Sequence, residues 1–119
     1  MSNFISLQQA VALTTNYRNE KENILAPAYK GKDILLNFET FDRASFEALL
    51  AETDATYIRV YLGMDTDLKI RLIAVAADSK NVDILPAASG VAGIDDGANI
   101  VEDGIRCPPN CQPPSPLNP

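Results

Sequence analysis

Residues 57–77, YIRVYLGMDTDLKIRLIAVAA, give the strongest indication of the fold of this chain. Two runs rich in aliphatic, aromatic and β-branched residues, Tyr57 to Leu62 and Leu68 to Ala77, flank a short polar segment, 63–67, that begins with glycine. Such runs joined by a few turn-forming residues are typical of an antiparallel β-hairpin. We therefore expect a hairpin at the centre of a sheet.

The two faces of this hairpin have different chemistry. Pairing across a five-residue loop places Arg59 opposite Arg71 and Tyr61 opposite Lys69, and because side chains alternate along a strand, one face is then apolar and predicted to be buried against helices. The members of that face are Ile58, Val60, Leu62, Leu68, Ile70, Leu72 and Ala74. The other face carries Tyr57, Arg59, Tyr61, Lys69 and Arg71. Two opposed arginines repel unless an anion or a carboxylate of the same chain lies between them.

Helices are predicted on the N-terminal side of the hairpin. Ser6 and Gln9 form a capping-box pattern ahead of an apolar periodicity, which predicts a helix from about residue 7 to 22. Asp42 is a suitable N-cap for a second helix that ends near residue 52, with Phe41 and Phe46 placed as a hydrophobic staple. The apolar run 34–38 between these helices has the length of a strand.

These elements predict an α+β fold. The order strand, helix, strand leaves enough chain for a parallel crossover, so we expect both helices on one face of a three- to four-stranded mixed sheet around the hairpin. Residues 81–85 are a candidate edge strand, and 87–104 is predicted to be loop, with Ile100-Val101 as a candidate short strand. The prediction divides the chain into a single domain, 1–104, and a proline-rich C-terminal arm, 105–119.

Composition excludes several functional classes. The net charge of −6 argues against nucleic acid and anionic membranes as partners, and no run is long and apolar enough to span a bilayer. The start of the chain lacks the pattern of a secretory signal, so the cytoplasm is the expected location. Without histidine, the commonest acid–base and zinc chemistries are missing, so an enzyme is not favoured and no cofactor is expected.

The C-terminal arm holds both cysteines and six of the eight prolines. Cys107 and Cys111 are close enough for a disulfide if the chain turns after the prolines, and too far apart if it continues as an extended polyproline segment. A thiol switch is therefore one hypothesis, and an arm that docks on a partner through Leu117 is another. The carboxylates of 65–67 and 95–97 lack the ligand pattern of a calcium loop, so no metal site is expected.

Parts of the chain resemble a known group of proteins. The segments 41–50, 58–65 and 81–85, together with the end Arg106-Cys-Pro-Pro-Asn-Cys111 and the residues 115–118, resemble a family of small bacterial proteins that share this hairpin and a Cys-Pro-Pro-x-Cys tail. The resemblance covers most of the chain from Phe41 onward. This family has no assigned activity, so the resemblance implies a grouping and no mechanism.

The sequence thus favours a non-enzymatic interaction or assembly module that contacts a protein partner, or a second copy, through the C-terminal arm, the sheet edge, or both. The alternative is a small-molecule or anion-binding protein that uses Arg59 and Arg71 with Tyr57, Tyr61 and Lys69. A weaker alternative is a thiol switch at Cys107 and Cys111.

Overall fold

The computed structural model describes residues 3–86 and 99–119. The helices are α1 (Leu7–Glu20) and α2 (Arg43–Leu50), with a short 3-10 turn at Pro27–Tyr29. The strands are β1 (Phe38–Thr40), β2 (Tyr57–Met64), β3 (Ile70–Ala77), β4 (Asp83–Ile84), β5 (Ile100–Val101) and β6 (Ile105–Cys107). The α+β class predicted from the sequence is therefore confirmed. Most of the predicted loop 87–104, namely 87–98, lies outside the described residues.

The hairpin forms with a register different from the predicted one. β2 and β3 pair antiparallel, but Tyr61 lies opposite Ile73 instead of Lys69. The turn is shorter than expected because the carboxylate of Asp65 accepts hydrogen bonds from the backbone N–H groups of Asp67 and Lys69. These bonds close a three-residue turn over 66–68, with Leu68 in the left-handed region at φ 65°. Gly63 consequently belongs to the strand.

All described strand pairs are antiparallel, so the mixed sheet expected from the sequence is wrong. In the larger sheet β3 lies between β2 on one side and β4 and β5 on the other. A separate two-stranded sheet pairs β1 with β6. The predicted strand 34–38 is mostly irregular, and Ile34 joins the hairpin through one bond, which its carbonyl accepts from the N–H of Ile70 at 2.8 Å.

The helices begin as the sequence predicts. Ser6 and Gln9 form a reciprocal capping box, with bonds of 2.9 and 3.0 Å, at the start of α1. At the start of α2 the rings of Phe41 and Phe46 contact each other, with centroids 5.7 Å apart. These local patterns need only neighbours in sequence, which explains why they could be predicted.

The core lies between α2 and one half of the larger sheet. Its buried residues are Leu49, Ala74, Ala76 and Val101, and the partly buried side chains around them are Phe41, Phe46, Ala55, Ile58 and Ile84. This described core contains no residue of α1. α1 instead bonds the segment before β1, since the Tyr17 hydroxyl donates to the carbonyl of Leu36 and Lys21 donates to Asn37. The expectation that both helices cover one sheet face therefore holds for α2 alone.

The C-terminal residues fold back onto their own chain. β6, the first part of the predicted arm, pairs with β1. Further along, Arg18 of α1 donates to the carbonyl of Leu117, and Asn37 donates to Asn118 at 2.9 Å. The described end of the chain is thus held against α1 and the segment before β1.

Candidate functional site

Arg59 is engaged within its own chain. Its guanidinium forms an ion pair with Asp83 and donates to the carbonyl of Asn81 at 2.7 Å. The hydroxyl of Tyr61 donates to the same carboxylate of Asp83. Hydrogen bonding with Tyr61, together with the charge of Asp83, raises the pKa of Arg59. The arginine therefore stays charged and neutralised by an acidic side chain of β4.

Arg71 has a different carboxylate partner. Its guanidinium donates to Glu39 at 3.2 and 3.3 Å, and the hydrogen bond to Glu39 raises the pKa of Arg71. The Glu39 side chain is fully buried. It also accepts the backbone N–H groups of Leu72 and Gly104, both at 3.1 Å.

The predicted opposition of the two arginines is wrong. Arg59 lies opposite Val75 and Arg71 lies opposite Gly63, so the two guanidinium groups belong to different ends of the hairpin. Tyr57, half exposed, lies opposite Ala77. Lys69 lies across the turn from Asp65, whose N–H donates to the Lys69 carbonyl. Ligand binding by these five residues stays a prediction, without the charge repulsion that motivated it.

The cysteines are joined. Cys107 and Cys111 form a disulfide with their Cα atoms 4.8 Å apart, and the Cys107 side chain is fully buried. The turn that brings them together includes a bond from the N–H of Asn110 to the carbonyl of Arg106 at 3.0 Å. Of the two paths left open by the sequence, the chain therefore takes the turn. A thiol-switch role stays a prediction. The cytoplasmic location also stays a prediction, and the disulfide does not favour it, because formed disulfides are typical of oxidising compartments.

Strand β2 has one unpaired side. Within residues 3–86 and 99–119 it pairs with β3 and with no other strand. The N–H groups of Ile70 and Leu72 bond to Ile34 and Glu39, away from β2. Their partners across the hairpin, Met64 and Leu62, are therefore in non-hydrogen-bonded pairs. Hydrogen-bonded and non-hydrogen-bonded pairs alternate along an antiparallel ladder. The even-numbered residues of β2 are therefore all in non-hydrogen-bonded pairs and direct their backbone N–H and C=O groups outward.

The side chains of the same residues form an exposed apolar stripe. Val60, Leu62 and Met64 are 52%, 74% and 57% exposed, although the sequence predicts Val60 and Leu62 to be buried. The reason is a difference in length. α2 has eight residues and covers about 12 Å, whereas the eight residues of β2 extend about 27 Å. α2 packs over Ile58, Ala74 and Ala76 and leaves the far half of β2 uncovered.

The sequence of β2 also lacks the features that usually protect an edge strand. Natural edge strands are commonly interrupted by lysine, proline or other features that prevent pairing with another chain. Arg59 is the only charged residue in 57–64, where there is no proline, and its charge is held by Asp83. We call the outward backbone groups of 58–64, with the side chains of Val60, Leu62 and Met64, the β2 edge.

An apolar pocket adjoins the β2 edge at Met64. It has a volume of about 240 Å³ and is lined by Leu25, Tyr29, Ile34, Met64 and Leu68. The exposed apolar surface therefore extends from the middle of β2 to the chain that follows α1. No single residue of this surface carries a motif. The signal that would have identified it in the sequence is that 57–64 contains no proline and no charged residue other than Arg59.

Other kinds of site find less support. Among the described residues, no group of three or more cysteine, aspartate or glutamate side chains could hold a metal ion. The acidic turn at 95–97 lies outside the described residues. In the same described part of the chain, no helix is long and apolar enough to cross a membrane.

Comparison with protein families, with curated proteins and with solved structures finds no match for this chain. Its function is therefore inferred from the geometry of its surface.

Proposed function

We propose that this chain is a non-enzymatic interaction module that binds a protein partner by accepting a β-strand at the β2 edge. The observation that carries the proposal is strand β2. It has eight residues, it pairs with a described strand along one edge alone, and the half of its length beyond α2 carries three exposed apolar side chains. In strand addition, the main-chain ladder supplies affinity and the alternate side chains supply specificity. The β2 edge offers both.

The β2 edge is favoured over the C-terminal arm as the point of contact. The carbonyl of Leu117 accepts from Arg18 and Asn118 accepts from Asn37, so the end of the arm is engaged by its own chain. To reach a partner, the arm would have to give up these bonds. The outward groups of β2 face no other strand within residues 3–86 and 99–119, so a partner strand displaces no described strand pairing there.

Backbone hydrogen bonds and apolar burial at the β2 edge would both contribute to the binding free energy. Each backbone hydrogen bond contributes about 0.5–1.5 kcal/mol net, and burying apolar side chains adds about 25 cal/mol for each Å² removed from water. Four outward-facing residues and three exposed apolar side chains therefore offset part of the entropy lost on association. The partner's own side chains supply the remainder.

A peptide titration tests the proposal. A peptide that copies residues 57–64, with lysines added at both ends for solubility, is added to ¹⁵N-labelled protein at a dilution where light scattering shows a single chain. We expect saturable chemical-shift changes centred on Val60, Leu62 and Met64. The control peptide carries proline in place of its Val60 and Leu62, which removes two ladder donors. Equal changes with both peptides, or changes centred on Arg71 or the C-terminal arm, would remove the proposal.

A further inference from the structure

We infer that the partner that fits the β2 edge is a second copy of this chain, with the two β2 strands antiparallel about a twofold axis at Tyr61. The inference rests on the proposed function, because it names the occupant of the same surface. It depends on the direction of the outward groups, on the register that these groups permit, and on the charges along the strand.

The outward backbone groups restrict the register of such a pair. Only even-numbered residues of β2 direct backbone groups outward, so in a symmetric pair even residues must bond with even residues. An axis at Tyr61 places Val60 opposite the partner's Leu62 and Ile58 opposite the partner's Met64. All four outward-facing residues of each strand are then used. Moving the axis by one residue in either direction leaves one of the four without an opposite residue inside β2.

The charges along β2 are compatible with this register. Arg59, the one charged residue of β2, falls opposite the partner's Gly63, which has no side chain to meet it. The guanidinium is already neutralised by Asp83 of its own chain. At the end of the strand, the Tyr57 hydroxyl falls opposite the partner's Asp65, which pairs a hydrogen-bond donor with an acceptor. No like charges therefore face each other across the axis.

The apolar stripes of the two copies adjoin in this arrangement. An axis perpendicular to the sheet keeps the same face of both copies on one side, so the two α2 helices lie on that side at the two ends of a joined sheet. Val60, Leu62 and Met64 of each copy then meet in one strip of six apolar residues between the helices. A monomer leaves these three side chains more than half exposed. A patch of this kind is typical of an association surface.

The test combines a measurement of the molar mass in solution with site-directed cross-linking, both on the full chain. We expect multi-angle light scattering to give twice the chain mass, falling to one chain mass on dilution, and Leu62→Lys to give one chain mass at every concentration. Leu62 is 74% exposed, so this substitution is expected to leave the fold intact by circular dichroism.

The second arm uses cysteine substitutions. Tyr61→Cys places two thiols directly across the axis at a non-hydrogen-bonded pair, with Cβ atoms about 4.5–5.5 Å apart, and should give a disulfide-linked dimer under a mild oxidant. Tyr57→Cys is the matched control, since its two copies would be eight residues apart along the strand, about 27 Å. Both native cysteines are already joined to each other.

The outcomes are distinguishable. A chain that stays monomeric but binds the 57–64 peptide would overturn the second copy and leave the proposed function standing. Failure of both experiments would overturn both. A dimer that survives Leu62→Lys, or that cross-links equally through residues 57 and 61, would place the contact elsewhere and overturn the inference.

Discussion

At the scale of single residues, two buried charged side chains connect the small sheet to the large one. Glu39 of β1 accepts the N–H of Leu72 in β3 as well as the guanidinium of Arg71. Arg106 of β6 is 6% exposed and donates to the carbonyl of Ile70 at the start of β3 and to those of Asp33 and Ile34. Each side chain thus bonds to β3 from the small sheet.

Removing the carboxylate of Glu39 should therefore destabilise the fold. Glu39→Ala removes the buried acceptor of two backbone N–H groups and leaves the guanidinium of Arg71 with its bond to the carbonyl of Gly104. We expect a loss of about 2–4 kcal/mol in the free energy of unfolding. Urea melts followed by circular dichroism measure it. Glu47→Ala is the control, because Glu47 belongs to an exposed i,i+4 pair with Arg43 and should cost less than about 0.5 kcal/mol. Equal losses for the two substitutions would contradict the role given to Glu39.

A second comparison at this scale tests which face of β2 is engaged by its own chain. Arg59→Ser removes the bonds to Asp83 and Asn81, whereas Val60→Ser changes a side chain that is 52% exposed. We expect Arg59→Ser to lower the melting temperature of the dilute, monomeric chain more than Val60→Ser does. The reverse order would mean that Val60 is buried within the monomer, as the alternation of the sequence alone suggests.

The roles of Glu39 and Arg106 could not be predicted from the sequence. The Ser6–Gln9 capping box and the Phe41–Phe46 contact could be, because each joins residues a few positions apart. Glu39 and Arg106 instead bond backbone groups more than 30 positions away. Such partners depend on how the segments are placed in three dimensions, and no local pattern marks them.

At the scale of elements, the turn of the hairpin shows how a correct strand prediction gives a wrong site. Glycine at 63 marks a loop start by composition, but the carboxylate of Asp65 closes the turn two residues later. Because the shift in pairing is four residues, an even number, each side chain keeps its face while its opposite neighbour changes. The faces were therefore predictable, and the opposition of Arg59 and Arg71 was not.

The length of α2 determines which residues of the hairpin are buried, and the sequence pattern of the hairpin does not contain this length. Alternation predicts which side chains share a face, but it does not say how far a covering helix extends. α2 ends at Leu50 and packs near Ile58, so the same apolar pattern is core at one end of β2 and surface at the other. The exposed stripe could be found only once α2 was placed on the sheet.

The C-terminal arm gives a prediction at this scale. Deleting residues 112–119 keeps the Cys107–Cys111 disulfide but removes the bonds of Leu117 to Arg18 and of Asn118 to Asn37. We expect a loss of about 1–3 kcal/mol in stability and no change in the mass of the assembly. Thermal melts and light scattering measure the two quantities, and deletion of Pro119 alone, which keeps both bonds, is the control. A fall in mass would make the arm a contact between chains.

At the scale of the whole molecule, the net charge and the β2 edge have opposite effects on association. The chain carries a net charge of −6, which favours solubility, while residues 57–64 contain one charged side chain. Two acidic molecules repel at long range, so association at the β2 edge must depend on short-range contacts: backbone hydrogen bonds and apolar burial. This arrangement suits a surface that pairs in a defined register and does not aggregate without limit through β2, because a twofold pair uses the β2 edge of both copies.

The most direct test of the β2 edge as the contact surface is amide hydrogen exchange along β2, measured by NMR across a dilution series. The inward N–H groups of Arg59 and Tyr61 bond to β3 and should exchange slowly at every concentration. The outward N–H groups of Val60 and Leu62 should exchange quickly when dilute and slow down by at least tenfold as the protein is concentrated. Fast exchange of Val60 and Leu62 at every concentration, including with the 57–64 peptide in excess, would contradict the account.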